Sequence, residues 1–265
     1  MTPATLSNPL LYALRQIRAS GRAALCGYFL IGYPTPDAFY RMVRAASAVD
    51  VIEYGIPAHN PLLDGPVIAD AHEVVTMLRG LGAETALALV SGLRGIPQPR
   101  FVMTYAQVGR ETGGFLRLLV ENAVHGLLAP DLAAEDDYVL TVARTMNLAV
   151  INFFDIRDDD AALMRCVATG DVIYLKAAPG ITGQRADFSG ALGDQIRASL
   201  ERIKALKPET FVAVGIGVQQ PEQVAALARL GVDMVIVGTK VVEHVQQGEA
   251  ALQAYLQSLR DATAG

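Results

Sequence analysis

Short apolar runs rich in β-branched residues alternate along this chain with longer stretches whose apolar positions recur every three or four residues. The first pattern predicts buried parallel strands and the second amphipathic helices. The strands fall at about 24–31 ("ALCGYFLI"), 51–54, 100–104 ("RFVMT"), 125–128 ("HGLL"), 148–154 ("LAVINFF"), 172–176 ("VIYLK"), 211–215 ("FVAVG") and 233–237 ("DMVIV"). Helical segments such as "DAFYRMVRAASAV", "FLRLLVENAV" and "PEQVAALARLG" lie between them. Several open with Asp or Pro or close with Gly, as helix ends do. Eight strands, each followed by a helix, predict a closed (β/α)8 barrel rather than an open sheet. The helical pattern within "MTPATLSNPLLYALRQIRAS" predicts an extra N-terminal helix capping the barrel bottom.

Composition supports one domain spanning 1–265. That length is usual for a single barrel, and no linker or low-complexity tract divides it. Hydrophobic residues make up 52% and charged residues 18%, which supplies a large core and argues against disorder. The net charge of −5 comes without a basic stripe, which argues against nucleic acid as a partner. No apolar run has the length of a membrane span, and the N-terminus lacks a signal-peptide layout. Cys26 and Cys166 sit in apolar runs without metal-site spacing, as thiols in a reducing compartment would. A cytoplasmic location is the expectation.

Against that apolar background Glu53 is conspicuous. It follows Val51 and Ile52 directly in the second strand, and alternation turns it into the barrel while Ile52 and Tyr54 face the helices. A buried, unpaired carboxylate is costly. Either it has a cationic partner, with Lys176 on the sixth strand as the candidate, or it performs chemistry at the barrel mouth, where such folds build active sites. Asp64 follows in "LLDGP", where it is either a turn former or a second active-site carboxylate. Tyr174 suits core packing or the site. His59 suits a proton carrier or an exposed loop.

Glycine-bearing turns follow the last three strands: "PGITG" (179–183), "GIG" (215–217) and "GTK" (238–240). Glycine lets backbone N–H groups come close to an anion, and a helix starting near Thr239 would aim its dipole at the same point. Three converging turns in the usual phosphate position of this fold predict a phosphate site. Lys240 would add charge there or lie on a solvated helix face.

"IEYGIPAHNPLLDGP" resembles the signature of the tryptophan synthase alpha chain family, E-x-G-x-P-(F/Y)-S-D-P-x-x-D-G-P. The likeness runs over nearly the whole chain, through "GYP" (32–34), "TYA" (104–106), "PD" (130–131), "YLKAAPGITG", "GIGVQQPEQV" and "VGTKVV". The resemblance implies a TIM barrel and a lyase of tryptophan biosynthesis. Its reaction is retro-aldol cleavage of indole-3-glycerol phosphate to indole and glyceraldehyde 3-phosphate, with no metal or organic cofactor. It implies catalytic roles for Glu53, Asp64 and Tyr174. Glu53 would be the general acid/base, Asp64 would accept from the indole N–H, and Tyr174 would line the site beside Glu53. Gly183, Gly217, Gly238 and Thr239 would hold the phosphate, with Thr239 where the family usually has Ser. Tyr28 and Tyr105 would border the substrate, and Thr182 would lie on the loop that closes over it.

Departures gather on the second loop. Ala58, His59 and Asn60 replace the usual aromatic, Ser and Asp, and Tyr28 stands where Phe is common. The family partner is a beta chain, and loss of the relaying Asp at position 60 predicts weak coupling to it. "NFFDIRDDD" (152–160) brings charge to the rim. Besides a lyase that works alone, these changes leave open an ordinary alpha subunit dependent on its beta chain, a partner-activating subunit, or a paralogue taking another phosphorylated substrate.

Overall fold

The computed structural model describes residues 8–132, 137–177 and 185–264, and in it eight parallel strands close into a barrel in sequence order. They are β1 (Ala24–Leu30), β2 (Val51–Gly55), β3 (Arg100–Met103), β4 (Gly126–Leu128), β5 (Ala149–Asp155), β6 (Val172–Lys176), β7 (Phe211–Val214) and β8 (Met234–Val237). Each agrees with the run read from the sequence to within one residue at either end. The outer layer comprises α2 (Pro36–Ala45), α3 (Pro66–Glu73), α4 (Ala83–Val90), α5 (Ala106–Glu111), α6 (Phe115–Glu121) and α7 (Asp137–Thr145), after an N-terminal α1 (Pro9–Ala19). It continues with α8 (Asp160–Thr169), α9 (Gly190–Leu206), α10 (Pro221–Leu230), α11 (Thr239–Gln247) and α12 (Glu249–Asp261). One turn of π-helix, Val74–Leu78, prolongs α3.

The strands are buried on both faces, so their sequences read as unbroken apolar runs. β2 shows the sorting. Tyr54 packs outward on Phe39 of α2, with ring centroids 5.8 Å apart, whereas Glu53 faces inward opposite Tyr28 of β1 in the register.

The bottom of the barrel is closed by α1, as the N-terminal pattern predicts. Asn8 caps this helix and also donates to the carbonyls of His125 and Asn147, at the starts of β4 and β5. Leu10 and Leu14 are fully buried, and Arg18 reaches Asp233 at 2.6 Å, just before β8. Asp50, before β2, gathers Arg22, Arg260 and the Leu25 N–H. Burial opposes its charge, but those cations win and hold its carboxyl below the usual range. Polar chemistry at this end is therefore structural. Among the described residues, no single helix is long and apolar enough to cross a membrane.

Candidate active site

At the opposite end, one cleft is bordered by Tyr28, Glu53, Asp64, Tyr174, Gly217, Gly238 and Thr239. These are most of the residues singled out in the sequence, contributed by five strands or the loops that follow them. Leu63, Ile68, Met103, Phe153 and Ile216 supply its apolar walls.

Glu53 is 4% exposed. Burial pushes its carboxyl up to about 8, with the nearby Asp64 charge adding to the effect. Among the described residues no ion pair relieves it: Lys176 turns instead to Asp155 at the rim, 3.6 Å away. Asp64 sits one residue before the glycine that caps α3, with its side chain 6% exposed. Burial raises its carboxyl to about 6, against the pull of a 2.8 Å hydrogen bond donated by the Tyr105 hydroxyl. That hydroxyl also accepts from the Leu63 N–H at 3.2 Å, so Tyr105 fixes the loop and the carboxylate together. The structure places the Tyr105 hydroxyl against Asp64, while the ring is not among the residues that border this cleft.

Two tyrosines flank Glu53. The Tyr28 hydroxyl lies 2.1 Å from where a β-carbon at residue 55 would stand, and the Tyr174 hydroxyl stands equally close to one at residue 215. Gly55 and Gly215 therefore make room for these side chains. Tyr174 also packs on Phe153, at 5.4 Å between centroids. Burial raises both phenols well above their ordinary range, so both stay protonated.

The far end of the cleft has the character of an anion cradle. Gly217 adopts φ 89°, a left-handed conformation that favours glycine. Its carbonyl accepts from the Ala186 N–H and from Gln223 Nε2, at 3.1 and 2.8 Å. In a trans peptide this turns the Val218 N–H to the other side, where Val218 borders the cleft. Gly238 precedes α11 without a side-chain cap, leaving the first-turn N–H groups to face an anion. Lys240 pairs with Glu243 at 2.5 Å, which favours the helix-face reading of that lysine. Thr182 and Gly183 lie outside the described residues.

His72 has no counterpart among the sequence candidates. It is 1% exposed on α3 and contacts Ala58, Tyr28 and Asp64. His59, the histidine that the loop motif drew attention to, is exposed. Of the "PD" pair, Pro130 borders the cleft and Asp131 accepts from the Ala106 N–H at the start of α5. Among the described residues, no group of three or more His, Cys, Asp or Glu is placed to hold a metal.

A buried pair of carboxyls facing a helix N-terminus across the mouth of a (β/α)8 barrel defines a TIM-barrel enzyme suited to a small phosphorylated molecule. Residues 14–264 match the family model for the tryptophan synthase alpha chain. The alpha chain of Halorhodospira halophila is 34% identical, over 94% of this chain and 91% of its own. That of Methanosarcina acetivorans is 30% identical, over 94% and 92%. A Mycobacterium tuberculosis tryptophan synthase structure superposes with a TM-score of 0.87 at 29% identity, covering 98% of this chain and 99% of that one. The chain belongs to the tryptophan synthase alpha chain family.

Proposed function

We propose that the whole chain, residues 1–265, works as one barrel domain that cleaves indole-3-glycerol phosphate to indole and glyceraldehyde 3-phosphate in the cytoplasm. The observation that carries this reading is the unlike pair of carboxyls on one cleft: Glu53 pushed up to about 8 and Asp64 to about 6. Near pH 7 the first holds a proton and the second is ionised. Breaking the C–C bond requires a proton on indole C3, which makes the ring an electron sink. Neutral Glu53 supplies it. The carboxylate so formed then takes the proton from the 3′-hydroxyl as the bond breaks, which returns Glu53 to its starting state. Ionised Asp64 accepts from the indole N–H and offsets positive charge growing on the ring. Phosphate held at Gly217, Gly238 and Thr239 orients the reacting bond from a distance. The direct test is to incubate the isolated protein with indole-3-glycerol phosphate and follow indole. Folded protein that releases none, with or without a beta chain, would overturn the reading.

The same assay has an expected pH dependence. Activity rises as Asp64 loses its proton through about 6, because only the anion offsets the positive charge that grows on the indole ring. It falls as Glu53 ionises through about 8, because no proton then remains for C3. A bell-shaped kcat/KM profile with limbs near those values is expected, belonging to the pair jointly. A rate that climbs steadily to pH 9 would contradict the assignment of Glu53 as the acid.

The partner is a tryptophan synthase beta chain, with coupling weakened at the exposed Asn60. A charge-assisted hydrogen bond contributes roughly 1.5–3 kcal/mol. Asn60→Asp is therefore expected to raise stimulation by a beta chain about tenfold or more, with little change in the isolated rate. A titration with purified beta chain reads this. Strong stimulation of the unaltered protein, by about two orders of magnitude, would show that coupling does not need the Asp.

A further inference from the structure

We propose that His72 is a positioning residue for this reaction, a neutral imidazole that ties the second-loop backbone, the Tyr28 hydroxyl and the Asp64 carboxylate into one cluster. The inference rests on the lyase reading above. It begins with a backbone hydrogen bond: the Ala58 N–H donates to His72 Nδ1 at 3.0 Å. A nitrogen that accepts a hydrogen bond carries no proton, so the ring is neutral and its proton is on Nε2. Burial favours the same state, lowering the imidazole to about 4. The close approach to Asp64 is therefore a dipole meeting a carboxylate and not an ion pair.

The Nε2 atom lies 3.4 Å from the Tyr28 hydroxyl oxygen and 3.7 Å from Asp64 Oδ2. These are long contacts, of the kind that tighten when a ligand completes a site. With Nε2 as donor, Tyr28 accepts, and its own O–H is left to donate toward the cleft that it borders. Gly55 keeps that hydroxyl position open. His72 thus acts at two points that the chemistry uses, the indole-side wall and the carboxylate that meets the indole N–H. It does so from a helix that begins two residues after Asp64. Its anchor, Ala58, stands where the family signature has an aromatic residue.

Among the described residues, the groups facing Asp64 are Tyr105 from the loop after β3, Glu53 on β2, Tyr28 on β1, Tyr174 on β6 and His72 on α3. Of these, Tyr105 donates to the carboxylate and the His72 Nε2–H sets its dipole beside it at 3.7 Å, and removing that dipole disfavours the anion. The test compares His72→Asn, whose amide can keep the acceptor for Ala58, with His72→Gln, whose amide can reach the Nε2 position. His72→Asn is expected to lower kcat/KM by about 10–100-fold, since small misplacements of reacting groups cost that much. It should also move the acid limb of the pH profile upward. His72→Gln should recover most of the loss. In a Tyr28→Phe background the His72→Asn loss should shrink, because one of its two targets is gone. Near wild-type kcat/KM and an unmoved limb in His72→Asn would overturn the proposal. So would equal losses in both variants that follow their thermal stability alone.

A second readout does not depend on turnover. Nitrogen NMR of the imidazole in the intact protein should show Nδ1 bare and Nε2 protonated from pH 5 to pH 8. A protonated Nδ1 in that range would overturn the tautomer and the positioning role with it. Failure of the wild-type protein to release indole, with that tautomer intact, would instead sink the lyase reading.

Discussion

Glu53→Gln is expected to abolish indole release while leaving the barrel folded. Near neutral pH the native side chain is an uncharged acid, pushed up to about 8, and an amide of the same shape takes its place without adding charge. What is lost is a transferable proton. An amide can neither protonate indole C3 nor accept the proton of the 3′-hydroxyl, and general acid/base work contributes about 10²–10⁴-fold or more. Here one group serves both transfers, so a loss at or beyond the upper figure is expected in kcat, with KM little changed. Stability provides the control. The raised carboxyl contributes stability that is fully present below its ordinary value near 4.5 and is lost as pH rises through about 8. Gln has no such loss. The variant should match the native protein in thermal unfolding near pH 4 and become progressively the more stable of the two as the pH rises to 9. Turnover close to wild type in a folded variant would remove Glu53 from the mechanism.

Asp64→Asn carries the second large effect. The carboxylate is held by the Tyr105 hydroxyl at 2.8 Å, a bond that an amide oxygen can still accept, so the loop should keep its course. The charge disappears. Losing one electrostatic stabiliser of a transition state costs about 10²–10³-fold in kcat. A second consequence separates this from general damage. Asp64 is one of the causes that raise Glu53, so neutralising it should move the alkaline limb of the pH profile to lower pH. A rate within a few-fold of wild type, or a limb moving upward, would contradict the role of Asp64 and its coupling to Glu53.

Much of this was legible in the sequence because the physics is local. Parallel strands buried on both faces must be apolar along their whole length, and strand ends were readable to within a residue. Glu53 stood out because nothing else in its strand is charged. The glycine turns stood out because they recur after successive strands. What remained hidden depends on contacts made across the barrel. That the Tyr105 hydroxyl donates to Asp64 emerges only when the loop after β3 is brought beside the one after β2. Lys176 reads as a partner for Glu53 until β5 offers Asp155 at the rim. His72 was the hardest to see. It lies in "PVIADAHE", where its spacing is that of an ordinary helix face, and nothing nearby signals that its ring returns to the loop at Ala58.

The two tyrosine hydroxyls that occupy the places of absent β-carbons have a consequence for how such sequences drift over time. Any side chain at residue 55 would meet the Tyr28 hydroxyl, and any at residue 215 would meet that of Tyr174. Each tyrosine and its glycine therefore form a joint character: the glycine can be lost only after the tyrosine has shortened or turned aside. Lineages that keep an aromatic ring at 28 should never explore larger residues at 55, because ring carbons of Tyr28 stand 2.5 and 2.8 Å from that place as well. Substitutions on one strand are in this way scheduled by a ring on another.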